Sequence, residues 1–140
     1  MITALDTNVL VSLWNEDDLL NQAAKAAMRG ALDRGSLVIA APVFSELMAS
    51  PVRDEEFLDE FLVATGISVD WNLDETIWRI AGRAFRAHAV RRRRKREPGP
   101  HRIVADFLIG AHALHNGFSF LTLDAQFFKA AFPRLALAKI

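Results

Sequence analysis

The stretch that decides the fold is Ile2–Asn8, with the sequence ITALDTN. Its first four residues form a short, mostly apolar run, which predicts a buried strand, and the acid Asp6 ends that run abruptly. The turn-prone pair Thr7 and Asn8 follows, and a further apolar run begins at Val9. Because strands of this kind are typical of a sheet covered on both faces, the opening residues already favour an α/β protein.

Buried strands and helices continue to alternate along the chain. The predicted strands are Ile2–Leu5, Leu37–Ala41, Ile67–Trp71, Phe118–Leu121 and Leu135–Lys139. The predicted helices run from a cap at Asp17 or Asp18 to Gly35, from Pro42 through Met48, over Asp54–Ala64, from a cap at Asn72 or Asp74 to about Arg92, over Ile103–His115 and over Asp124–Ala131. We therefore predict a three-layer α/β/α domain with a central, mostly parallel sheet. Residues 97–100 (EPGP) form the clearest break between elements.

Length and composition favour a single domain spanning residues 1–140. A chain of 140 residues can bury a core without disulfides, and its 51% hydrophobic and 24% charged residues exclude a disordered chain. The absence of cysteine excludes thiolate metal sites and cysteine nucleophiles. Met1–Asp6 lacks the basic start of a signal peptide, and the longest uncharged stretch, Phe107–Leu123, contains two histidines. We expect a soluble, cytoplasmic protein.

Charge is balanced overall but divided along the chain. The 17 basic and 17 acidic residues give a net charge of zero. Residues 1–78 contain 4 basic and 14 acidic residues, whereas residues 79–102 contain 10 basic residues and one acid. An acidic body joined to a basic segment indicates that one part of the molecule suits cations and another suits a polyanion.

Four carboxylates interrupt sequence that is otherwise apolar. Asp6 and Asp124 follow the first and fourth predicted strands, and Glu46 and Asp106 lie near the apolar starts of two helices. Ligands of a parallel sheet bind outside the carboxyl ends of its strands. Each acid alone is also explained by a helix cap, a helix dipole or an arginine partner. Together the four predict a site for Mg²⁺ or Mn²⁺, since hard divalent ions prefer oxygen ligands, and like-charge repulsion should raise the pKa of at least one acid.

Four segments together resemble the PIN domain nucleases, and specifically the VapC-type toxins of prokaryotic toxin–antitoxin pairs. The segments are Asp6–Val9 (DTNV), Ser45–Leu47 (SEL), Ala105–Ala113 (ADFLIGAHA) and Leu121–Phe128 (LTLDAQFF). They occur in the family's order and span nearly the whole chain. The arginine-rich stretch before Asp106 is a departure, because it is longer and more basic than in many relatives.

The resemblance implies a metal-dependent endoribonuclease that cleaves RNA. It also implies the residues of the site, which are the acids Asp6, Glu46, Asp106 and Asp124 as catalytic residues and metal ligands, and Asn8 and Thr122 as small polar residues that support them. The cofactor would be Mg²⁺, with Mn²⁺ as a substitute, and a cognate antitoxin protein would hold the enzyme inactive. The high apolar share of the chain fits a homodimer.

A second candidate site is the basic segment before Asp106. Its residues are Arg79, Arg83, Arg86, Arg91, Arg92, Arg93, Arg94, Lys95, Arg96 and Arg102. The first three recur at the i, i+4, i+7 spacing of one helix face and lead into the run 91–96. A solvated helix end explains the run alone, but a continuous stripe that leads towards Asp106 predicts contact with RNA phosphates or with a partner.

Other residues and functions compete with this interpretation. We expect surface or packing roles for the four histidines, core or interface roles for the tryptophans and phenylalanines, and a simple strand position for Asp70. The alternative functions are a housekeeping PIN-domain nuclease that processes RNA and a non-catalytic RNA-binding scaffold. Receiver domains and Asp-nucleophile phosphatases fit poorly, because Asp6-Thr7-Asn8 provides neither an adjacent acidic pair nor an Asp-x-Asp pattern.

Overall fold

Strands and helices alternate in the structure as the sequence predicts. A computed structural model describes residues 1–51, 53–96 and 102–140. In chain order, the elements are β1 (Ile2–Leu5), α1 (Thr7–Trp14), α2 (Asn21–Arg34), β2 (Ser36–Ala40), α3 (Ala41–Met48), α4 (Glu55–Thr65), β3 (Ser68–Asp70), α5 (Glu75–Lys95), α6 (Val104–Asn116), β4 (Ser119–Leu121) and α7 (Ala125–Ala131). The break predicted at residues 97–100 lies outside the described residues. The predicted three-layer α/β/α fold is confirmed.

The four strands form one parallel sheet in the order β3-β2-β1-β4. The inner strand β1 pairs with both of its neighbours, so that Thr3 lies opposite Leu37 of β2 and Ser119 of β4. On the outside of β2, Val69 of β3 lies opposite Ile39. Because all four strands run in the same direction, their carboxyl ends share one edge of the sheet. The residues that follow β1 and β4 are therefore neighbours at that edge.

The prediction of a fifth strand over Leu135–Lys139 is wrong. Within the described residues, this segment contributes one isolated parallel bridge, between Leu137 and Phe120 of β4. Two backbone hydrogen bonds of 2.8 Å hold it, from Phe120 N–H to Ala136 O and from Ala138 N–H to Phe120 O. The two residues after Ala138 are exposed, so no buried face extends the pairing further.

Helix α1 is absent from the sequence-based prediction, because Thr7 and Asn8 favour a turn. In the structure, Asp6 keeps an extended backbone (φ −78°, ψ 152°) and its side chain caps the helix by accepting a hydrogen bond from Thr7 N–H at 2.8 Å. The helix then buries Val9 and Leu10 completely. Asp6 thus ends the strand and begins the helix at one point, and this fixes the position of its carboxylate.

Helix α2 starts later than predicted. The expected cap residues Asp17 and Asp18 precede it, and the helix begins at Asn21 without a side-chain cap. Asp18 instead accepts a hydrogen bond from Leu20 N–H at 2.8 Å, which is the way aspartate stabilises a turn. The buried Asn21 side chain donates to Ser12 O at 2.8 Å and so connects the start of α2 to α1.

Other helix boundaries follow their predicted signals. Asp54 and Asp74 cap α4 and α5 by accepting hydrogen bonds of 2.8 and 3.1 Å from backbone N–H groups. Gly66 and Gly117 end α4 and α6 in the left-handed conformation, with φ of 72° and 70°, which glycine adopts without steric cost. Helix α5 continues to Lys95, beyond its predicted end, because arginine and lysine are good helix formers.

The core is centred on α6. Its residues Phe107–Ala113 are all buried, and Phe85 of α5 stacks on Phe107 with ring centroids 4.5 Å apart and planes 9° apart. Phe120 of β4 contacts Phe128 of α7 at 4.7 Å. A helix enclosed in this way has little freedom to rotate, so its first turn, which carries Asp106, is held in place. Among the described residues, no helix has both the length and the apolar content needed to span a membrane.

Gly110 is a tight point in the packing of α6. A Cβ atom at Gly110 would lie 2.4 Å from Phe132 Cε2, closer than two carbons can pack. A Cβ atom at Gly82 of α5 would meet nothing within 4 Å. Gly110 and Gly82 therefore form a matched pair, because substitution by alanine should have opposite effects on stability at the two positions.

We expect Gly110→Ala to lower the free energy of unfolding by about 1–3 kcal/mol, because Phe132 must move to make room. Gly82→Ala should raise it by about 0.5–1 kcal/mol, since alanine restricts the unfolded chain and favours the helix. Urea unfolding of both variants measures the difference. A Gly110→Ala protein as stable as Gly82→Ala would contradict this packing.

Candidate active site

Asp6 lies between β1 and α1, at the carboxyl edge of the sheet. The residue is 5% exposed, and each of its carboxylate oxygens has a donor. Oδ1 accepts from Thr7 N–H at 2.8 Å, and Oδ2 accepts from Thr122 Oγ1 at 2.7 Å. Asp6 N–H donates to Leu121 O at 2.9 Å, which continues the pairing of β1 with β4 into the site. The carboxylate is therefore fixed from two sides.

Thr122 connects Asp6 to the loop that follows β4. A hydroxyl has one proton to donate and two lone pairs, and Thr122 uses all three. It donates to Asp6, and it accepts from Asp124 N–H at 2.9 Å and from Asn8 Nδ2 at 3.4 Å. Asn8 Oδ1 also accepts from Leu123 N–H at 3.1 Å. The structure thus places both predicted supporting residues between α1 and the loop after β4.

Glu46 approaches the same edge from α3. Its side chain is half-buried, and Oε1 accepts a hydrogen bond from Thr7 Oγ1 at 2.6 Å. Thr7 therefore contacts two of the predicted acids, Asp6 through its backbone N–H and Glu46 through its hydroxyl. Thr7 is a site residue that the sequence does not reveal, because it resembles a turn residue until α1 is known.

Asp6 has a strongly perturbed pKa, which is raised from 3.8 to about 6. Burial is the largest cause, because it penalises the charged form. The hydrogen bonds from Thr122 and Thr7 lower the pKa again, and the negative charges of Asp106 and Glu46 raise it further. The raised pKa is predicted from the sequence, but its main cause is desolvation, and repulsion between like charges is secondary.

Asp106 lies in the first turn of α6 and is half-buried. Burial raises its pKa, the Arg102 guanidinium lowers it, and the charge of Asp124 raises it. Asp106 in turn raises the pKa of Asp6, as does Glu46. All four predicted acids therefore belong to one electrostatic neighbourhood.

Asp124 forms an ion pair inside this neighbourhood. Its Oδ2 atom accepts a hydrogen bond from Arg102 Nη2 at 2.7 Å, and the two side chains are 35% and 34% exposed. The Arg102 guanidinium also lies over the Phe127 ring, 4.0 Å from its centroid. Partial burial and stacking hold the pair more firmly than an ion pair in open solvent. Arg102, predicted as an RNA or partner contact, is thus bound to one of the acids.

The donor chemistry of this site suits a hard divalent cation, because all its candidate ligands are oxygen atoms. Within the described residues, however, no group of three or more histidine, aspartate or glutamate side chains lies close enough together to hold a metal ion. Glu46 is bound to Thr7, and Asp124 is bound to Arg102. The structure brings the acids to one edge of the sheet but does not arrange them as a complete ligand set.

Comparison with known proteins identifies the family. A family model described as the PIN domain matches residues 3–133. The chain belongs to the PIN domain family. PIN domains are generally nucleases and typically use divalent metals. Among curated proteins, no sequence matches this PIN domain significantly.

Solved structures share the fold of this PIN domain over nearly its full length. VapBC2 from Rickettsia felis, bound to a DNA fragment from its promoter, is 19% identical with a TM-score of 0.64, over 98% of this chain and 97% of that chain. VapBC-1 from nontypeable Haemophilus influenzae is 18% identical with a TM-score of 0.65, over 98% and 96%. FitAcB from Neisseria gonorrhoeae is 23% identical with a TM-score of 0.64, over 99% and 97%. These similarities show a common fold.

The basic stripe of this PIN domain extends along α5, and its first residue lies far from its C-terminal end. Arg79 is 68% exposed and pairs with Glu75 at 2.7 Å, and Arg83 and Arg86 are exposed on the following turns. With a rise of about 1.5 Å per residue, Arg79 lies roughly 20 Å along the helix from Arg93. Arg79, at the start of the stripe, therefore lies far from the end of α5 that adjoins Arg102.

The second part of the stripe lies closer to the acidic site. Residues 91–95 complete the last turns of α5, and Arg96 follows in the left-handed conformation with φ of 49°. Arg91 and Arg92 are half-buried, whereas residues 93–96 are exposed. Arg92 and Arg93 line the same cavity as Arg102, the partner of Asp124. The C-terminal part of the stripe is thus the part that adjoins the site.

His88 is a further residue near the acids that sequence reasoning does not single out. Its ring lies 5.6 Å from Phe107 and 5.7 Å from Phe127, and its charge lowers the pKa of Asp106. The signal that could have found it is the i, i+3, i+7 spacing of Phe85, His88 and Arg92, which places them on one helix face.

His112 of α6 and Asp70, the last residue of β3, form a contact. His112 is fully buried, and its Nε2 atom lies 2.9 Å from Asp70 Oδ2. Burial acts to raise the pKa of Asp70, but hydrogen bonds to His112 and Asn72 outweigh it, so that the pKa is lowered. The packing role expected for His112 agrees with its burial, whereas Asp70 is more than a simple strand position, because it connects β3 to α6.

The raised pKa of Asp6 predicts a pH-dependent stability in the absence of metal. The folded protein binds an extra proton between pH 3.8 and about pH 6, so the free energy of unfolding falls as the pH rises through this range. A shift of this size corresponds to about 3 kcal/mol. Asp6→Asn carries no ionisable group there, so its stability relative to wild type should increase by up to about 3 kcal/mol between pH 4 and pH 8.

Urea unfolding in EDTA at pH 4 and pH 8 measures this effect. Asp33→Asn removes an exposed acid from α2 and serves as the matched control, which should follow wild type. If the difference between Asp6→Asn and wild type is the same at both pH values, burial does not raise the pKa of Asp6.

Proposed function

We propose that this PIN domain is a metal-dependent endoribonuclease in which Asp6, Glu46, Asp106 and Asp124 are the catalytic acids. The observation that carries the proposal is the Asp6 carboxylate, which is buried, held by two hydrogen bonds and subject to the charges of Asp106 and Glu46. Such a carboxylate is costly to the fold unless a cation compensates it. Carboxylates at the carboxyl edge of a parallel sheet also lie where ligands bind in this fold class.

The same four carboxylates would hold Mg²⁺, or Mn²⁺ as a substitute. Asp6 and Asp106 are the central pair, because the charges of Asp106 and Glu46 raise the pKa of Asp6 and the charge of Asp124 raises that of Asp106. Glu46 and Asp124 would join by exchanging their contacts with Thr7 and Arg102. When bound, a divalent ion lowers the pKa of a coordinated water and stabilises negative charge on the phosphoryl oxygens.

The protein's own residues prepare the site for this chemistry. Thr7 N–H and Thr122 Oγ1 orient the two oxygens of Asp6, and Asn8 fixes the loop that carries Asp124. With a pKa of about 6, Asp6 is mostly ionised at neutral pH and can still take up a proton at modest cost. Burial excludes bulk water from Asp6, so that charges in its surroundings act on it strongly.

We further propose that the protein is the toxin of a toxin–antitoxin pair. The fold is shared with VapBC and FitAcB structures over nearly the full chain, and the segments around the four acids resemble VapC-type toxins. This assignment implies an antitoxin protein as partner, a cytoplasmic location, a single domain over residues 1–140 and, from the apolar composition, a homodimer. The alternative is a housekeeping RNA-processing nuclease. Growth arrest on expression, relieved by Asp6→Asn, separates the toxin from it.

RNA cleavage tests the nuclease directly. We expect the wild type to cut single-stranded RNA in Mg²⁺ or Mn²⁺, and Asp6→Asn to be slower by at least about 100-fold, because a lost ligand removes several kcal/mol of transition-state stabilisation. Asp33→Asn should retain wild-type activity. Sequencing the 5′ ends of the products then identifies the cleaved sites. Cleavage by neither protein would favour the alternative of a non-catalytic RNA-binding scaffold, and equal cleavage by both would show that Asp6 is not a catalytic acid.

Metal binding has a readout that does not depend on activity. At an ion concentration of about 100 times Kd, Mn²⁺ should stabilise the wild type by about 2.7 kcal/mol, which corresponds to a rise in Tm of roughly 8 °C. Asp6→Asn should show little rise, and Asp33→Asn should match the wild type. Thermal unfolding with and without Mn²⁺ measures the shift. Equal shifts in wild type and Asp6→Asn would place the ion elsewhere.

A further inference from the structure

A cavity of about 170 Å³ lies between the C-terminal half of α5 and the start of α6. Among the described residues, it is lined by Phe85, His88, Ala89, Arg92, Arg93 and Arg102. Three of these six side chains are arginines, and none is acidic. The cavity is roughly tenfold larger than the 10–15 Å³ that one buried water requires, so it has room for a polyatomic anion.

One wall of the cavity is aromatic and well packed. Phe85 stacks on Phe107 of α6 with a centroid distance of 4.5 Å, and the His88 ring lies 5.6 Å from the same ring. The Arg102 guanidinium is supported by Phe127 at 4.0 Å. Because their neighbours restrict these groups, the cavity is built into the helix packing and is more than a chance gap between exposed arginines.

The cationic wall suits a phosphate. Arg92, Arg93 and Arg102 line one cavity, and a guanidinium group can donate two parallel hydrogen bonds to the oxygens of a phosphate. Arg102 Nη2 already binds Asp124, so Arg102 belongs to both the cavity and the acidic site. A phosphate in the cavity would therefore lie directly beside the proposed catalytic acids.

We propose that this cavity is a phosphate subsite for the RNA strand, and that Arg102 is shared between the bound phosphate and Asp124. This inference rests on the proposed function, because that function identifies the bound strand as RNA. A phosphate that binds Arg102 competes with Asp124 for the same guanidinium. Binding of the strand thus weakens the hold of Arg102 on Asp124, which leaves this carboxylate available at the acidic site.

The subsite is tested by RNA binding without cleavage. Fluorescence anisotropy of a labelled 12-nucleotide single-stranded RNA, in EDTA, compares wild type with Arg92→Gln/Arg93→Gln and with the control Arg29→Gln/Arg134→Gln. Both pairs remove two positive charges, and the control residues are exposed elsewhere, Arg29 on α2 and Arg134 in the turn after α7. We expect the cavity pair to bind at least about fivefold more weakly and to reduce the slope of log K against log salt by about 1.4, with near wild-type values for the control. Equal losses in the two pairs, or no loss in either, overturn the proposal.

Competition distinguishes the source of the anion. Unlabelled RNA should displace the labelled strand from the wild type far better than inorganic phosphate at the same phosphate concentration, because flanking nucleotides add contacts. Inorganic phosphate that competes equally well would show a site for a free anion. Polyglutamate that competes equally well would show a site for an acidic protein segment. Either result overturns the assignment to RNA.

A double-mutant cycle tests the sharing of Arg102. In EDTA, Asp124→Asn should release Arg102 and strengthen RNA binding by about threefold, whereas in the Arg102→Gln background the same change should have almost no effect. An equal gain in both backgrounds would show that Asp124 acts through its charge alone, and Arg102 would not be shared. Arg102→Lys provides a second background that keeps the charge, and thermal unfolding verifies that each variant is folded.

The binding and cleavage measurements test the subsite and the nuclease separately. If the wild type cleaves RNA and the Arg92→Gln/Arg93→Gln variant binds RNA normally, the subsite is overturned and the nuclease stands. If the variant loses RNA binding but the wild type cleaves no RNA, the nuclease is overturned and the cavity remains a phosphate subsite of an RNA-binding protein.

Discussion

The hydrogen bonds that hold the Asp6 carboxylate are the interaction on which the site depends. One oxygen is bound by the first N–H of α1 and the other by the hydroxyl of Thr122 after β4. These bonds join the central strand, the helix that follows it and the neighbouring strand at a single residue. Because two donors only partly compensate a buried charge, the pKa of Asp6 remains raised. The fold thus tolerates an unfavourable group at the place where a cation would make it favourable.

A second feature of the site is that its outer acids are already engaged. Glu46 accepts from Thr7, and Asp124 accepts from Arg102. Both contacts are made to groups of the same chain, so the carboxylates are compensated before any ligand arrives. A cation must compete with these contacts, and its apparent affinity is lower than it would be for four free carboxylates. Binding of a cation or of an RNA strand would therefore require the side chains of the site to exchange partners.

Much of the fold and part of the site could be predicted from the sequence, because they depend on local patterns. Apolar runs locate the four strands, and Asp6 and Asp124 follow two of them. What could not be predicted depends on contacts between distant residues. The bond from Thr7 to Glu46 spans 39 positions and the pair of Arg102 with Asp124 spans 22, and both require the packed helices. The prediction of a strand over Leu135–Lys139 fails for a similar reason, since a strand needs a pairing partner as well as apolar residues.

The single bridge between Phe120 and Leu137 has a consequence for the way copies of this protein meet. It occupies part of the outer side of β4, which is only three residues long, and the chain beyond it turns to exposed residues. A short, partly covered edge offers few backbone groups to a strand from another molecule. Continuation of the sheet from one copy into the next is thereby disfavoured on that side, which protects a chain with a 51% hydrophobic composition from edge-to-edge aggregation.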